Sequence, residues 1–198
     1  MKIEHYINRM KDCMNEISTI DSFCFSDITT ELTYETLEKN EFYSREGAYA
    51  KKLSFVCEGA LRIFHANAKG EEWNKHFIIE HDFFSANSNI EAPSIVSIQA
   101  ITPVRMLSVP LRYIHDLYST HNQLNIFIQK LITLTLEKEQ QRGLMLMSLD
   151  ATQKYAFFSQ TFPGLEKRIP HYYIASYLGI TPTQLSRIRK KIAFHQQM

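Results

Sequence analysis

The stretch "IPHYYIASYLGITPTQLSRIRKKI", residues 169–192, restricts what this chain can fold into more than any other. Its apolar positions are Ile174, Leu178, Ile180, Leu185 and Ile188, with the small Ala175 ahead of Gly179. Two short helices crossing at a steep angle need this spacing: Ala175 permits close approach, Gly179 can take positive φ at the turn, and the five apolar side chains fill one shared core. Thr181-Pro182-Thr183-Gln184 specifies the start of the second helix. Thr181 stands at the cap, Pro182 at the first position, and Gln184 reaches back in a capping box, with Ile180 and Leu185 as a hydrophobic staple.

At about 100° per residue, Leu185, Ile188 and Ile192 gather on one side of that helix, and Thr183, Ser186, Arg187 and Lys190 on the other. Short polar groups near the start and cations further along are what a helix entering a DNA major groove presents. Arg187 is the candidate for a bidentate contact to guanine, with Thr183 and Ser186 for neighbouring bases. Thr181, Arg189, Lys190 and Lys191 are candidates for the phosphate backbone. Gln184 is ambiguous between capping and base reading. A helical hairpin that docks on protein is the alternative.

The charge distribution points the same way. From Leu165 to Met198 there are six cations and one acid, Glu166, whereas the preceding residues hold 16 Lys and Arg against 20 Asp and Glu. An acidic body with a basic end suits a polyanionic partner at that end, the alternative being a solvated basic tail.

Upstream, the periodicity divides the chain in three. Ile3, Tyr6, Ile7, Met10, Met14 and Ile17 recur at three and four, predicting an amphipathic helix lying on a larger body. From Tyr34 to Pro110 short β-type runs alternate with turn residues. Gly59 and Gly70 stand where hairpins reverse, and Pro103 and Pro110 close runs that a sheet interior could not continue. Several evenly spaced strands imply a sandwich or barrel.

After Pro110 the pattern is helical. Leu124, Phe127, Ile128, Leu131, Leu134, Met145 and Leu149 form a stripe broken by "EKEQQR" on a helix longer than twenty residues. Such a stripe suits pairing with a second copy of the chain, or a helix folded back on its own domain. Asp150 can cap a further helix carrying Tyr155, Phe158 and Phe162, which Pro163-Gly164 ends.

Cys13, Cys24 and Cys57 are odd in number and scattered, which argues against a disulfide framework, a zinc ribbon or a cysteine-ligated cluster. No apolar run approaches a membrane span and the first residues are too charged for a signal peptide, so no membrane association and a cytoplasmic location are expected.

Over nearly its whole length the chain resembles the CRP/FNR family of bacterial transcription regulators. "EFYSREG", "LSFVCEGALRIF" and "HDFF" look like the family's glycine-marked β-roll hairpins, and "IASYLGITPTQLSRIRKKI" is similar to its helix-turn-helix. The resemblance implies an α+β fold with flanking helices. An N-terminal helix and antiparallel β-roll of the cupin-like, cyclic-nucleotide-binding type cover residues 1–120, and a long dimerisation helix covers 121–148. A winged-helix-like helix-turn-helix domain covers 149–198, in which Thr183, Ser186 and Arg187 match positions that commonly read bases. The family's wing strand is not expected within the few residues that follow the recognition helix.

The family's cyclic AMP site departs most. Ser85-Ala86 stands in place of its Gly-Glu pair, Ser94-Ile95 replaces Arg followed by Ser or Thr, and no arginine lies between Arg62 and Arg105. Burying a phosphate with no paired cation is costly. The expectation is therefore a homodimeric, sequence-specific regulator of double-stranded DNA with an inverted-repeat operator, not cyclic AMP dependent, with no cofactor, no metal site and no catalytic residue. RNA polymerase and an unidentified small effector are further candidate partners. A cupin-like small-ligand or metal-dependent enzyme is the alternative, on the strength of His65, His76 and His81. His76 and His81 are five apart, however, and would face opposite sides of a strand.

Overall fold

The computed structural model describes residues 2–87 and 91–195, with the side chains of 193–195 outside the description. Two helices, α1 (Lys2–Ile17) and α2 (Ser22–Thr30), precede eight strands: β1 (Thr33–Leu37), β2 (Phe42–Ser44), β3 (Lys52–Glu58), β4 (Leu61–Ala66), β5 (Glu72–Ile78), β6 (Phe83–Phe84), β7 (Ser97–Ala100) and β8 (Val104–Pro110). Five helices follow: α3 (Leu111–Asp116), α4 (Asn122–Ser148), α5 (Ala151–Thr161), α6 (His171–Leu178) and α7 (Pro182–His195). Among the described residues no helix is long and apolar enough to cross a membrane.

The strands form two four-stranded sheets, ordered β1-β8-β3-β6 and β2-β7-β4-β5. β8 runs antiparallel to both β1 and β3, and β2 to β7. Val56, Leu61, Ile78, Phe84, Ile98, Val104 and Met106, drawn from both sheets, pack into one cluster, the interior of the roll. Alternation along β3 and β8 turns Phe55, Cys57, Leu107 and Val109 to the opposite face, where they meet Met10 and Met14 of α1, Ile28 of α2 and Ile114 of α3. Gly59 makes the β3–β4 turn possible: its φ is +99°, and a Cβ there would lie 2.2 Å from the Pro103 carbonyl oxygen. Pro110 ends β8 and stands at the N-cap of α3.

α2 was not anticipated. It is nine residues long, and its start is fixed by Asp21, whose carboxylate accepts from the Cys24 N–H at 2.8 Å. The stripe on α4 divides. Leu124 and Phe127 are buried in a cluster with α1, α2 and α3, and Ile128 and Leu131 pack against it, as in a helix folded back on its own domain, while Leu134 is exposed. A different face of α4 is left open, exposing Ile126, Ile132, Leu136, Leu144 and Met147, the last at 86%.

The chain forms two compact units, Met1–Ile63 with Phe77–Leu136, and Phe64–His76 with Glu137–Met198. The helix α4 itself runs from Asn122 to Ser148. The compact units divide the chain elsewhere: the distal β4–β5 hairpin joins the C-terminal helices, and α4 is shared at 136/137.

Candidate nucleic-acid interface

In the second unit α5 opens with a full capping box. Asp150 accepts from the Thr152 and Gln153 N–H groups at 2.8 and 2.9 Å, and the Gln153 side chain accepts from the Asp150 N–H at 3.0 Å. Its Tyr155 and Phe158 are buried, as are Phe162, Leu165 and Ile169 in the segment that follows. Phe158, Phe162 and Tyr177 form an aromatic trio with ring centroids 5.5 to 6.0 Å apart.

α6 buries Ile174, Ala175 and Leu178 and stops at Gly179, which has φ +64°. The Ile180 N–H donates back to the Ala175 carbonyl at 3.0 Å, closing the helix end. α7 then starts as the spacing predicts. Thr181 Oγ1 accepts from the Gln184 N–H at 3.1 Å, and Gln184 Oε1 accepts from the Thr181 N–H at 2.9 Å. The Gln184 carbonyl oxygen is thus engaged in the cap, and the residue is exposed.

Leu185 of α7 is buried, while Thr181, Thr183, Gln184, Ser186, Arg187, Lys190 and Lys191 are exposed. The structure thus brings Thr183, Ser186 and Arg187 together on one solvent-facing side, with Lys190 one turn further on. Arg189 is different. It is half-buried, 3.6 Å from the Glu166 carboxylate and 3.0 Å from His171 Nδ1, so its guanidinium is engaged inside the unit. Glu166 also accepts from the Tyr155 hydroxyl. Burial, then this hydrogen bond to Glu166, raises the Tyr155 phenol above its ordinary pKa.

The first unit uses its polar groups differently. Ser94 is buried, its hydroxyl within 3.0 Å of the Ala86 carbonyl and 2.9 Å of the Val96 carbonyl. Ser85 Oγ is buried and has no hydrogen-bond partner among the described residues. Residues 88–90 of the segment compared above with a cyclic AMP site lie outside the described residues, as do the last three residues, where the wing comparison falls. Arg62, which sequence reasoning passed over, is 3% exposed and donates through Nε and Nη2 to Gln99 Oε1 at 2.9 and 2.7 Å. Gln99 Nε2 in turn donates to the Asn40 carbonyl at 2.9 Å.

The three cysteines are buried. Burial pushes the Cys24 thiol up to about 11 and Cys57 to about 12, and raises Cys13, which makes them unreactive core side chains. Among the described residues no three His, Cys, Asp or Glu side chains come together as a metal site. His65 stacks on Trp73, His76 meets Phe162, and His81 lies 3.4 Å from Arg9.

Residues 34–121 match the family model described as Cyclic nucleotide-binding domain. A curated relative named Anaerobic regulatory protein, from Aggregatibacter actinomycetemcomitans, is 23% identical over 165 residues, 77% of this chain and 63% of the relative. FixK2 of Bradyrhizobium japonicum has a similar fold, with a TM-score of 0.75 at 19% identity over 83% of this chain and 86% of its own. A structure from Eubacterium rectale, described as of the CRP/FNR family, matches with a TM-score of 0.69 at 15% identity, over 89% of this chain and 85% of its own. The chain thus carries a region similar to a cyclic nucleotide-binding domain and has a fold similar to these structures over most of its length. It spans under two thirds of the length of the relative above. The family model covers the β-roll and ends at His121, so α7 lies outside it.

Proposed function

We propose that this protein is a homodimeric, sequence-specific DNA-binding regulator of transcription of the CRP/FNR family that does not depend on cyclic AMP. The observation that carries the reading is the two-sidedness of α7: Leu185 is buried while Thr183, Ser186 and Arg187 stand exposed behind a complete cap. Thr183, Ser186 and Arg187 read base edges, and Thr181, Lys190 and Lys191 hold phosphates. Arg189 orients α7 through Glu166 and His171 instead of reaching the backbone.

The dimer forms on the open face of α4. Positions 126, 129, 133, 136, 140, 143 and 147 recur at three and four and carry Ile126, Leu136 and Met147, a seam suited to a second copy. Two copies then place two α7 helices on half-sites of an inverted repeat. Independence from cyclic AMP is supported by Ser85-Ala86 and Ser94-Ile95, which stand where the resemblance expects the Gly-Glu pair for the ribose and the Arg with Ser or Thr for the phosphate.

Selection of bound duplexes from a random pool, with the wild type and with Arg187→Ala, tests the reading. The expected outcome is a palindromic consensus for the wild type and loss of preference at one symmetric base pair in the variant, at about 1–3 kcal/mol per base pair. Equal behaviour of the two proteins, or no retention of duplex at low salt, overturns it.

A further inference from the structure

β5 is the edge strand of its sheet, and an edge strand carries backbone N–H and C=O groups that the sheet does not use. In the second unit these groups are taken by the helices. The Asn74 N–H donates to Ser176 Oγ at 2.9 Å, and Ser176 Oγ donates to the Glu72 carbonyl at 3.2 Å. Arg142 Nη2, from α4, donates to the Asn74 carbonyl at 3.0 Å and to the Tyr177 carbonyl at 3.3 Å. The Asn74 side chain is itself 1% exposed, and its Nδ2 donates to the Tyr173 carbonyl at 3.0 Å.

Such burial is not incidental contact. A buried amide needs partners in place, and one strand residue here satisfies its N–H, its C=O and its side chain on α6 and α4. The joint is reinforced on both sides. Lys75 pairs with Glu139 at 2.8 Å, His76 meets Phe162 edge-on at 5.4 Å, and the Arg142 guanidinium lies 4.9 Å from the Tyr177 ring centre. Arg142 Nε is buried with no partner among the described residues, so the guanidinium is held there at a cost.

The hairpin grips α6 through Tyr173 and Ser176, and Arg142 of α4 holds Tyr177 beside them, while Thr183, Ser186 and Arg187 remain exposed on α7. The contact therefore leaves the reading surface uncovered. Because the cap at Gly179 and Thr181 ties α7 to α6, whatever fixes α6 also fixes α7. β4 and β5 are each divided between the two units, at Ile63/Phe64 and His76/Phe77.

We propose that Asn74, Ser176 and Arg142 form a positioning joint through which the β4–β5 hairpin sets the pose of α6 and α7 for DNA. The inference rests on the DNA-binding reading above and names the regulation of that site. Its members are positioning residues and touch no base or phosphate themselves. A pose fixed in advance binds more tightly than one that must be ordered on the duplex.

The test uses the full chain as wild type, Asn74→Ala, Ser176→Ala, Ser176→Thr and the Asn74→Ala/Ser176→Ala double variant, with the duplex selected by the wild type. Each alanine change is expected to weaken binding about fivefold, the equivalent of one buried hydrogen bond, without changing base preference. Loss in the double variant falls short of the product of the singles because both act on one joint. Ser176→Thr keeps the hydroxyl and binds as the wild type.

Amide hydrogen exchange over His171–Leu178, measured without DNA, is expected to quicken in the alanine variants and not in Ser176→Thr. Wild-type affinity together with wild-type exchange in both single alanine variants overturns the joint, as does full multiplicative loss in the double variant. If the wild type retains no duplex, the DNA reading falls and the positioning role falls with it. Quickened exchange in that case still supports the mechanical joint, and unchanged exchange removes that too.

Discussion

Ser94 and Gln99 in the first unit and Thr183 and Ser186 of α7 in the second carry hydroxyl and amide side chains, yet they direct them oppositely. Ser94 and Gln99 are buried and bonded to backbone or to the guanidinium of Arg62. Thr183 and Ser186 are exposed beside an exposed Arg187. A polar group already satisfied inside the fold offers little to a ligand, because binding must first break that bond; a group left in solvent loses only water. The direction in which polar side chains point therefore separates structural from recognition roles better than composition does.

α4 repeats the contrast with apolar residues and gives the largest expected effect. Leu124 faces the core of its own unit and Leu136 faces out. Leu124→Ala is expected to lower stability by about 2–5 kcal/mol at every protein concentration. Leu136→Glu is expected to convert the dimer to monomer with little change in the folded protomer. Sedimentation analysis combined with denaturation at two protein concentrations separates the cases. A Leu136→Glu variant that stays dimeric removes the open face of α4 as the seam.

These contrasts also explain what could be read in the sequence. The α6–α7 pair was legible because its cap, turn glycine and apolar spacing lie within two dozen residues and agree with one another. The faces of α4 were not separable, since a long helix with leucines and isoleucines on two sides yields more than one stripe. Which side is covered depends on α1, α2 and the β3–β8 sheet. α2 was missed because "SFCFSDITT" holds mostly residues of middling helix propensity and is fixed by one aspartate cap. Asn74 carries no local signal at all. Its partner Ser176 is 102 residues away, and an asparagine in a strand reads as a turn or surface residue until that contact is seen.

A smaller effect is expected at the start of α7. Thr181 Oγ1 accepts the Gln184 N–H, and removing it leaves a helix N-terminus with one more open donor. Thr181→Ala is expected to cost about 1 kcal/mol of stability, read as a lowered denaturation midpoint, while Thr181→Ser, which keeps the hydroxyl, stays near the wild type. If Thr181 holds phosphate as well, the alanine variant also loses DNA affinity evenly across sequences, with a shallower salt dependence. Base preference at the position read by Arg187 is expected to remain.

The smallest effect belongs to an inward-bonded but largely solvated group, Glu58 at the end of β3. It accepts from the Tyr6 hydroxyl of α1 and from Arg105 of β8, and Lys2 lies 4.0 Å away. The Tyr6 hydrogen bond is the largest influence on its carboxyl; burial comes next and opposes it, and the charges of Arg105 and Lys2 add to it, so the group sits below the ordinary value of 4.5. A group depressed in the folded state stabilises the fold fully above its unfolded pKa, and that contribution disappears as pH falls through the folded value. The wild type should therefore lose a little stability below about pH 4.5 that Tyr6→Phe lacks, the two denaturation midpoints drawing together as acid is added. Solvent screening keeps the difference small, and a gap between the proteins that widens in acid would show that α1 is not held on β3 through this carboxylate.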